Sequence, residues 1–170
     1  VGRKAQAEGL AIDRVLANMV ELDCLADESI DYAICMFSTL GMVRTHAARM
    51  QVLGHVRRML KPGGTFVLHV HNRWYNALVP QGRQWLVANF LRWAARRDTE
   101  PGDKFFDYRG IPQMYLHVFT RRELVRMLCD AKFSIVEIAP LNTQRRHRLR
   151  HAWWLGRLRA NGWIVACRKS

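Results

Sequence analysis

The sequence predicts an α/β fold in which helices pack against a mostly parallel sheet. Segments of strand character alternate with segments of helical periodicity through the first half of the chain. The linkers between the strands are too long for tight hairpins, so crossover connections and parallel strands are expected. The 170 residues amount to about one domain, and 49% of them are apolar, enough for a sizeable core.

Three strands and two helices are predicted in the first half of the chain. The predicted elements are a helix at 3–9, strands at 12–19 and 30–37, a helix at 44–60 and a strand at 65–71. Gly9 ends the first helix. Lys61-Pro62-Gly63-Gly64 ends the second helix, because proline and glycine cannot continue it.

The second half begins with a long insertion at about 74–117 that resembles a lid. The elements predicted from there on are a basic, aromatic helix at 82–97, a polar loop up to 112, a helix at 120–133, a strand at 133–141, a basic helical insertion at about 143–160 and a final strand at 162–169. Thr120 and Glu123 form a T-x-x-E capping box, which marks the start of the fourth helix.

The net charge of +13 is unevenly distributed along the chain. No acidic residue occurs between Tyr32 and Arg97, and none follows Glu137. Such a basic segment either contacts a polyanion or forms a solvated basic face. The arginine-rich stretch at 145–159 is also amphipathic, so contact with a membrane surface is a further alternative. The candidate arginines are Arg145, Arg146, Arg148, Arg150, Arg157 and Arg159.

Cysteine spacing and hydropathy exclude several classes of protein. Cys24, Cys35, Cys129 and Cys167 lie far apart without a CxxC pair, so no metal site is predicted. Most of them lie in apolar surroundings, which favours buried free thiols in a reducing, cytoplasmic setting. No window of 18 uncharged apolar residues occurs, so no membrane span is expected.

Two stretches, ADESIDYAICMFSTLGMV and VRRMLKPGGTFVLHVHNRW, resemble the class I (Rossmann-like) S-adenosylmethionine-dependent methyltransferases of the type 11/12 group. HVFTRRELVRMLCDAKFSIVEI resembles the late helix and strand of that family. The resemblance implies a doubly wound Rossmann-like methyltransferase sheet, mostly parallel with an antiparallel last strand, and S-adenosyl-L-methionine as cofactor. The residues that match the family pattern are Ser29, Asp31, Arg58, Leu60, Lys61, Pro62, Gly63 and Gly64.

One part of the family pattern is missing. The family has a glycine-rich loop after its first strand and an acidic residue at the end of its second strand, and neither precedes Leu10. The resemblance therefore implies a single partial domain over residues 1–170 whose first two strands are absent. With half of the cofactor pocket missing, the chain alone is expected to be weak or inactive.

The polar residues after the predicted strands indicate where ligands bind. In open α/β sheets, ligands lie at the carboxyl ends of the strands. His71, Asn72 and Arg73 directly follow the strand at 65–71, so the last two are predicted to bind substrate and His71 to act in catalysis. By resemblance, the cofactor contacts are Asn18, Met19, Phe37, Ser38 and Leu40.

The segment PQMYLHVFT contributes further candidates. A base is needed only where the methyl acceptor must lose a proton. Tyr115 and His117 are candidates beside His71, and Tyr115 is also predicted to bind substrate. Replacement of His117 by alanine in a complete enzyme is expected to lower turnover more than cofactor binding.

The predicted function is methyl transfer from S-adenosylmethionine to an unidentified acceptor, with a small molecule favoured. An RNA-directed methyltransferase is the alternative, because the helix at 82–97 and the arginine-rich stretch at 145–159 offer charge and aromatic stacking surfaces. A second alternative is an inactive truncated domain that serves as a binding scaffold.

Overall fold

The computed structural model of the protein describes residues 2–96 and 99–170. Its helices and strands alternate along most of the chain. In chain order they are α1 Gly2–Ala7, β1 Ile30–Cys35, α2 His46–Met59, β2 Leu60–His71, α3 Pro80–Ala95, β3 Asp103–Tyr108, β4 Ile111–His117, α4 Arg121–Asp130, β5 Phe133–Pro140, α5 Gly156–Arg159 and β6 Gly162–Lys169. Single 3-10 turns cover Thr39–Met42 and Trp74–Leu78.

The main sheet has the strand order β1-β2-β6-β5. β1 and β2 are parallel, whereas β6 runs antiparallel to both β2 and β5. β5 therefore points the same way as β1 and β2, and only the last strand is reversed. This confirms the predicted fold class: a mostly parallel sheet with an antiparallel last strand.

The two faces of β2 have different surroundings. Phe66, Leu68 and Val70 are buried in the main core with residues of α2 and α4. His69 and His71 alternate with them and therefore lie on the opposite face. One face of the strand thus anchors the sheet to the helices, and the other presents two imidazoles.

A Pro-Gly-Gly turn separates α2 from the regular part of β2. The helix ends at Met59 as predicted. The β1–β2 register shifts between the pairs Ile30–Leu60 and Tyr32–Thr65, and the extra residues bulge out as the turn. Gly63 has a φ of +74°, a conformation that favours glycine. The predicted strand at 65–71 is the regular portion of β2.

The strand predicted at 12–19 does not form. This segment runs without regular structure and ends in a turn in which the Glu21 amide donates to the Asn18 carbonyl, 2.9 Å away. A strand needs a neighbour for its N–H and C=O groups, and no strand of the described ranges pairs with it. Val15 and Leu16 consequently remain exposed.

The insertion after β2 contains a helix and a hairpin. α3 agrees with the helix predicted at 82–97, of which Arg97 lies outside the described residues. The prediction of a polar loop after this helix is wrong, because β3 and β4 pair there as an antiparallel hairpin. Aromatic side chains stabilise it across the strands: the rings of Phe105 and Tyr115 lie 5.5 Å apart.

The basic helical insertion predicted at 143–160 is also wrong for most of its length. Turns cover His151–Leu155, and only α5 is helical. His151 and Leu155 adopt left-handed conformations, with φ of 52° and 48°, that interrupt a helix. Arg146 and Arg150 would be like-charged neighbours one helical turn apart, which disfavours a helix there.

The cysteines differ in their surroundings. All four are free, as expected. Only Cys167 is buried, and Cys24 and Cys129 are exposed, so the expectation of buried thiols is wrong for these two. Their apolar sequence neighbours pack inward from helix and loop positions that leave the thiols outside.

No helix within the described ranges is both long and apolar enough to cross a lipid bilayer.

The capping box of α4 is confirmed. The Thr120 hydroxyl accepts from the Glu123 amide at 3.1 Å, and the Thr120 amide donates to the Glu123 carboxylate at 3.2 Å. We expect Thr120→Ala to lower the free energy of unfolding by about 1 kcal/mol, because an orphan helix amide loses its acceptor. Urea denaturation measures this. Thr143→Ala, at an exposed loop position, is the control, and equal losses in both variants would contradict the role of the cap.

Candidate active site

A cavity of about 850 Å³ opens at the carboxyl ends of β1 and β2. His69 and His71 of β2 form one wall, together with Ile164 of β6. The β3–β4 hairpin contributes Phe106 and Met114 from the other side. The position agrees with the ligand-binding edge expected for an open α/β sheet.

A tight turn at the end of β1 fixes the entrance of the cavity. Phe37 and Ser38 both have positive φ values, 58° and 60°. The Ser38 amide donates to the His69 carbonyl at 3.1 Å, and the Ser38 hydroxyl accepts from the His71 amide at 3.3 Å. Ser38 therefore ties β1 to β2 rather than facing the cavity, whereas the ring of Phe37 is 82% exposed and lines it. Leu40 is fully buried in the core.

His71 is held in its neutral form. Burial, together with the nearby His69, Arg145 and Lys104, lowers its pKa to about 4. The guanidinium of Arg145 donates to Nε2 of His71 over a long 3.3 Å. The ring of His69 stands edge-on to it, with the centroids 5.1 Å apart. His71 is thus an uncharged hydrogen-bond acceptor at neutral pH.

Asn72 and Arg73 take different positions. The Asn72 amide donates to the carbonyls of Arg157 and Ala160 at 2.8 and 2.7 Å, and its oxygen accepts from the Trp74 amide at 3.0 Å. Asn72 borders the cavity, but its polar atoms hold the backbone around it. Arg73 stacks on the Trp74 ring at 5.0 Å and is not among the residues that line the cavity.

His117 lies in a buried charge network beside the cavity. Its Nδ1 is 2.9 Å from the Asp103 carboxylate, and its Nε2 is 2.6 Å from that of Glu123. Tyr115 also donates to Asp103, at 2.7 Å. Arg49, fully buried in α2, pairs with Glu100, whose carboxylate lies 3.9 Å from His117 Nδ1.

This network corrects the predicted roles of His117 and Tyr115 as bases. Burial alone lowers the pKa of His117, but the hydrogen bonds that its ring donates to Asp103 and Glu123 raise the pKa overall. Both ring nitrogens of His117 donate to carboxylates, so neither can take up a proton from the methyl acceptor. Burial and then the bond to Asp103 raise the pKa of Tyr115, which keeps its proton. His117 joins the hairpin to α4 through Glu123, and Tyr115 joins β4 to β3 through Asp103.

The same network has the spacing of a metal site. Oxygens of Glu100 and Asp103 and a ring nitrogen of His117 lie within 4.8 Å of one another. Two cationic groups already compensate the carboxylates there: Arg49 contacts Glu100, and the His117 imidazolium lies between Asp103 and Glu123. The arrangement is therefore explained by the protein's own charges.

The stability of the fold is expected to be greatest near pH 6.5. The pKa of His117 is raised above 6.5 in the folded protein. Its contribution to the free energy of unfolding is therefore complete below pH 6.5 and is lost as the pH rises through the folded pKa. The pKa of His71 is lowered from 6.5 to about 4, so its contribution is lost as the pH falls through that interval. The lowered pKa values of Asp103 and Glu123 add losses at still lower pH.

Urea denaturation across this pH range measures the effect. His117→Gln should flatten the loss on the alkaline side and leave the loss on the acidic side. Stability that keeps rising above neutral pH in the native protein would contradict the charge state assigned to His117.

Asn18 and Met19 lie away from the cavity. The side-chain oxygen of Asn18 accepts from the Val20 amide within its own turn, at 3.3 Å. Met19 packs against the main core. Because the strand that would carry them does not form, neither residue is brought to the end of β1.

Sequence reasoning missed several side chains at the site. Lys104 and Asn161 line the cavity, and Arg49 connects α2 to the charge network. Arg49 shares the buried face of α2 with Val52, Leu53 and Val56, a spacing that was visible in the sequence. Nothing local in the sequence indicated Lys104, because its strand was predicted as a loop.

The six arginines predicted to contact a polyanion have unlike surroundings. Arg145 lines the cavity, Arg148 pairs with Glu137, and the guanidinium of Arg159 lies 4.9 Å from the ring of Trp154. Trp153, next to it, is 84% exposed. Only part of the predicted basic surface is therefore available to a large anion.

Comparison with known proteins relates the chain to methyltransferases by part of its sequence and by its fold. Residues 1–68 match the sequence model of a methyltransferase domain family. Nearly the whole chain has the fold of solved S-adenosylmethionine-dependent methyltransferases. The match to the family model covers 68 of the 170 residues, so the likeness to methyltransferases rests on the first part of the sequence and on the fold. A search of curated protein sequences found no match.

Solved structures resemble the protein over nearly its full length. It is similar to a methyltransferase from Methanosarcina mazei, with 22% identity, a TM-score of 0.73 and coverage of 99% of this chain and 74% of that one. It is also similar to the 1,6-didemethyltoxoflavin-N1-methyltransferase of Burkholderia thailandensis, solved with its substrate and S-adenosylhomocysteine, at 17% identity and a TM-score of 0.59. The match covers 99% of this chain and 56% of that one, so the chain spans just over half the length of this relative.

A third similar structure is the CcbJ methyltransferase from Streptomyces caelestis, with 18% identity and a TM-score of 0.63. The match covers 99% of this chain and 73% of that one. All three identities are low, so the likeness concerns the fold.

Proposed function

We propose that the protein transfers a methyl group from S-adenosylmethionine to a small-molecule acceptor in the cavity at the ends of β1 and β2. The observation that supports this most is the cavity itself, about 850 Å³ in volume and roofed by the β3–β4 hairpin. Its volume lies in the range of small-molecule sites. The insertion at 74–117, which contains the hairpin, is the proposed lid.

The chain offers a partial fit to the cofactor. The exposed ring of Phe37 at the edge of the cavity provides an apolar surface for it, and Ser38 and Leu40 hold the turn that presents this ring. Asn18 and Met19 would contact it only after rearrangement of their turn. When bound, S-adenosylmethionine supplies a methyl group on a positively charged sulfur, which leaves as a sulfide.

His71 is the proposed catalytic base. Its imidazole is neutral at physiological pH, and Nε2 accepts a long hydrogen bond from Arg145. A hydroxyl or amine of the methyl acceptor can replace the hydrogen bond from Arg145. The oxygen or nitrogen of that group then bonds to the methyl carbon while its proton passes to Nε2 of His71. Asn72 holds the adjacent backbone, and Tyr115 positions the hairpin through Asp103.

Binding of S-adenosylhomocysteine to the full chain tests the proposal. Isothermal titration calorimetry should show saturable binding that Phe37→Ala weakens. The matched control is Phe90→Ala, which removes an exposed ring of α3 that does not line the cavity. Absence of binding in the native protein would favour the scaffold alternative.

RNA as the methyl acceptor is a second candidate. The exposed rings of Trp153 and Trp154 beside Arg159 form a surface on which bases could stack. If RNA is the acceptor, a single-stranded oligoribonucleotide should bind with an affinity that falls steeply with salt and weakens in Trp153→Ala. No binding at ~50 mM salt would exclude this candidate.

A further inference from the structure

We propose that the methyl acceptor carries an anionic group, a carboxylate or a phosphate, which Lys104 and Arg145 hold within the cavity. This inference rests on the proposed function, because it names the chemical class of the acceptor for the same site. Four observations support it: the position of Lys104, the position of Arg145, the composition of the lining, and an unpartnered imidazole nitrogen.

Lys104 reaches the cavity from β3, the first strand of the hairpin. Its ammonium donates to the Asn76 side-chain oxygen at 3.0 Å and lies 5.3 Å from the centroid of the Trp85 ring. Both of these partners are neutral. Burial lowers the pKa of Lys104, which indicates that its charge is poorly solvated. Alternation along β3 directs the adjacent Asp103 away, toward His117.

Arg145 approaches from the other side of the cavity, on the segment between β5 and β6. Its guanidinium contacts Nε2 of His71 at 3.3 Å. This contact occupies one of its five N–H donors and brings no compensating negative charge. Lys104 and Arg145 both line the cavity, and the positive charge of each lowers the pKa of His71.

No carboxylate lines this cavity in the described part of the chain. The lining consists of apolar, aromatic, amide, imidazole and thioether side chains and the two cations. Neither cation forms an ion pair with a described residue, although six other lysines and arginines pair with carboxylates in the same ranges. Lys104 is partly buried and Arg145 is exposed at the rim of the cavity. A partly buried charge without a counterion is costly, so a bound anion would stabilise Lys104.

His69 adds an independent indication that a polar ligand binds here. Its side chain lines the cavity and is 6% exposed, and its Nε2 has no hydrogen-bond partner. Buried polar atoms are usually satisfied, so this nitrogen needs a partner from outside the chain. A hydroxyl or protonated group of the acceptor, on the same molecule as the anion, would provide one.

The cofactor also carries a carboxylate, so the same two cations could hold that group. We assign them to the acceptor because Lys104 belongs to the hairpin that roofs the cavity and Arg145 contacts His71. Phe37, the proposed cofactor contact, is at the edge of the cavity at the end of β1. The experiment must therefore distinguish these two carboxylates.

The test compares two probes of equal size, 4-hydroxybenzoate and the uncharged 4-hydroxybenzamide. Titration calorimetry on the full chain should show that the acid binds about 10-fold more tightly than the amide. Lys104→Met and Arg145→Gln should each weaken binding of the acid about 10-fold, the loss of one charge-assisted hydrogen bond. Lys104→Arg keeps the charge and should restore most of the affinity. Arg146→Gln is the matched control, since its side chain does not line the cavity.

The outcomes separate this inference from the proposed function. Equal binding of the acid and the amide, or affinity for the acid that does not change in Lys104→Met and Arg145→Gln, would overturn the anionic acceptor. Weakened S-adenosylhomocysteine binding in these variants, without a loss for the acid, would assign the cations to the cofactor and would also overturn it. If the native protein binds no S-adenosylhomocysteine but still selects the acid, the proposed function fails and the anion site stands.

Discussion

Replacement of His117 by alanine is expected to lower the free energy of unfolding by about 3–5 kcal/mol, because breaking a buried ion network leaves its partners uncompensated. The imidazolium is 1% exposed and lies between the carboxylates of Asp103 and Glu123. Without it, the carboxylates of Asp103 and Glu123 lose the cation that lies between them. The sequence suggested an effect on turnover, whereas the structure assigns the loss to folding.

Urea denaturation near neutral pH measures this loss. His147→Ala is the matched control, because that histidine is exposed and its side chain bonds to no described residue. A destabilisation below about 1 kcal/mol, the level of a surface change, would show that the network carries little of the stability. His117→Gln, which keeps one donor, should fall between the two variants.

His71→Gln is expected to lower the rate of methyl transfer at least about 100-fold, the lower range for general base catalysis. Glutamine keeps an oxygen to accept from Arg145 but cannot take up a proton at neutral pH. Affinity for S-adenosylhomocysteine should change little, because His71 contacts the acceptor side of the cavity. Single-turnover assays with an acceptor identified among aromatic acids would measure the rate.

The pH dependence provides a separate readout for His71. Its pKa of about 4 leaves the base unprotonated at all higher pH values, so the rate should be nearly constant through neutral pH and fall only in acid. His151→Gln, at an exposed position, is the control and should leave both rate and profile unchanged. A rate in His71→Gln within a few-fold of the native rate would remove His71 from the chemistry.

Most of the main sheet could be predicted from the sequence because its elements depend on local patterns. Apolar periodicity predicted α2, and the T-x-x-E pair predicted the start of α4. Apolar runs predicted β1, β2 and β6. The segment at 12–19 has the same kind of pattern but forms no strand. Strand formation depends on a pairing partner elsewhere in the chain, which a local pattern cannot supply.

The candidate site was only partly predictable for the same reason. His71 was found because polar residues after a strand mark the ligand-binding edge. Lys104 and Arg145 come from segments whose local patterns were misread, and they meet at His71 only in the folded protein. Arg49 was missed although it shares the apolar face of α2, and the sequence could not show that its partner is Glu100.

The position of β6 has a consequence for how the protein is made. This strand lies between β2 and β5 and pairs Thr65 with Arg168, residues from distant parts of the chain. During translation the ribosome releases β2 and β5 well before β6, so the centre of the sheet has a gap until the last strand emerges. Long-range pairing of this kind slows folding, and two open strand edges are exposed in the meantime. The nascent chain should therefore need protection by chaperones until β6 inserts.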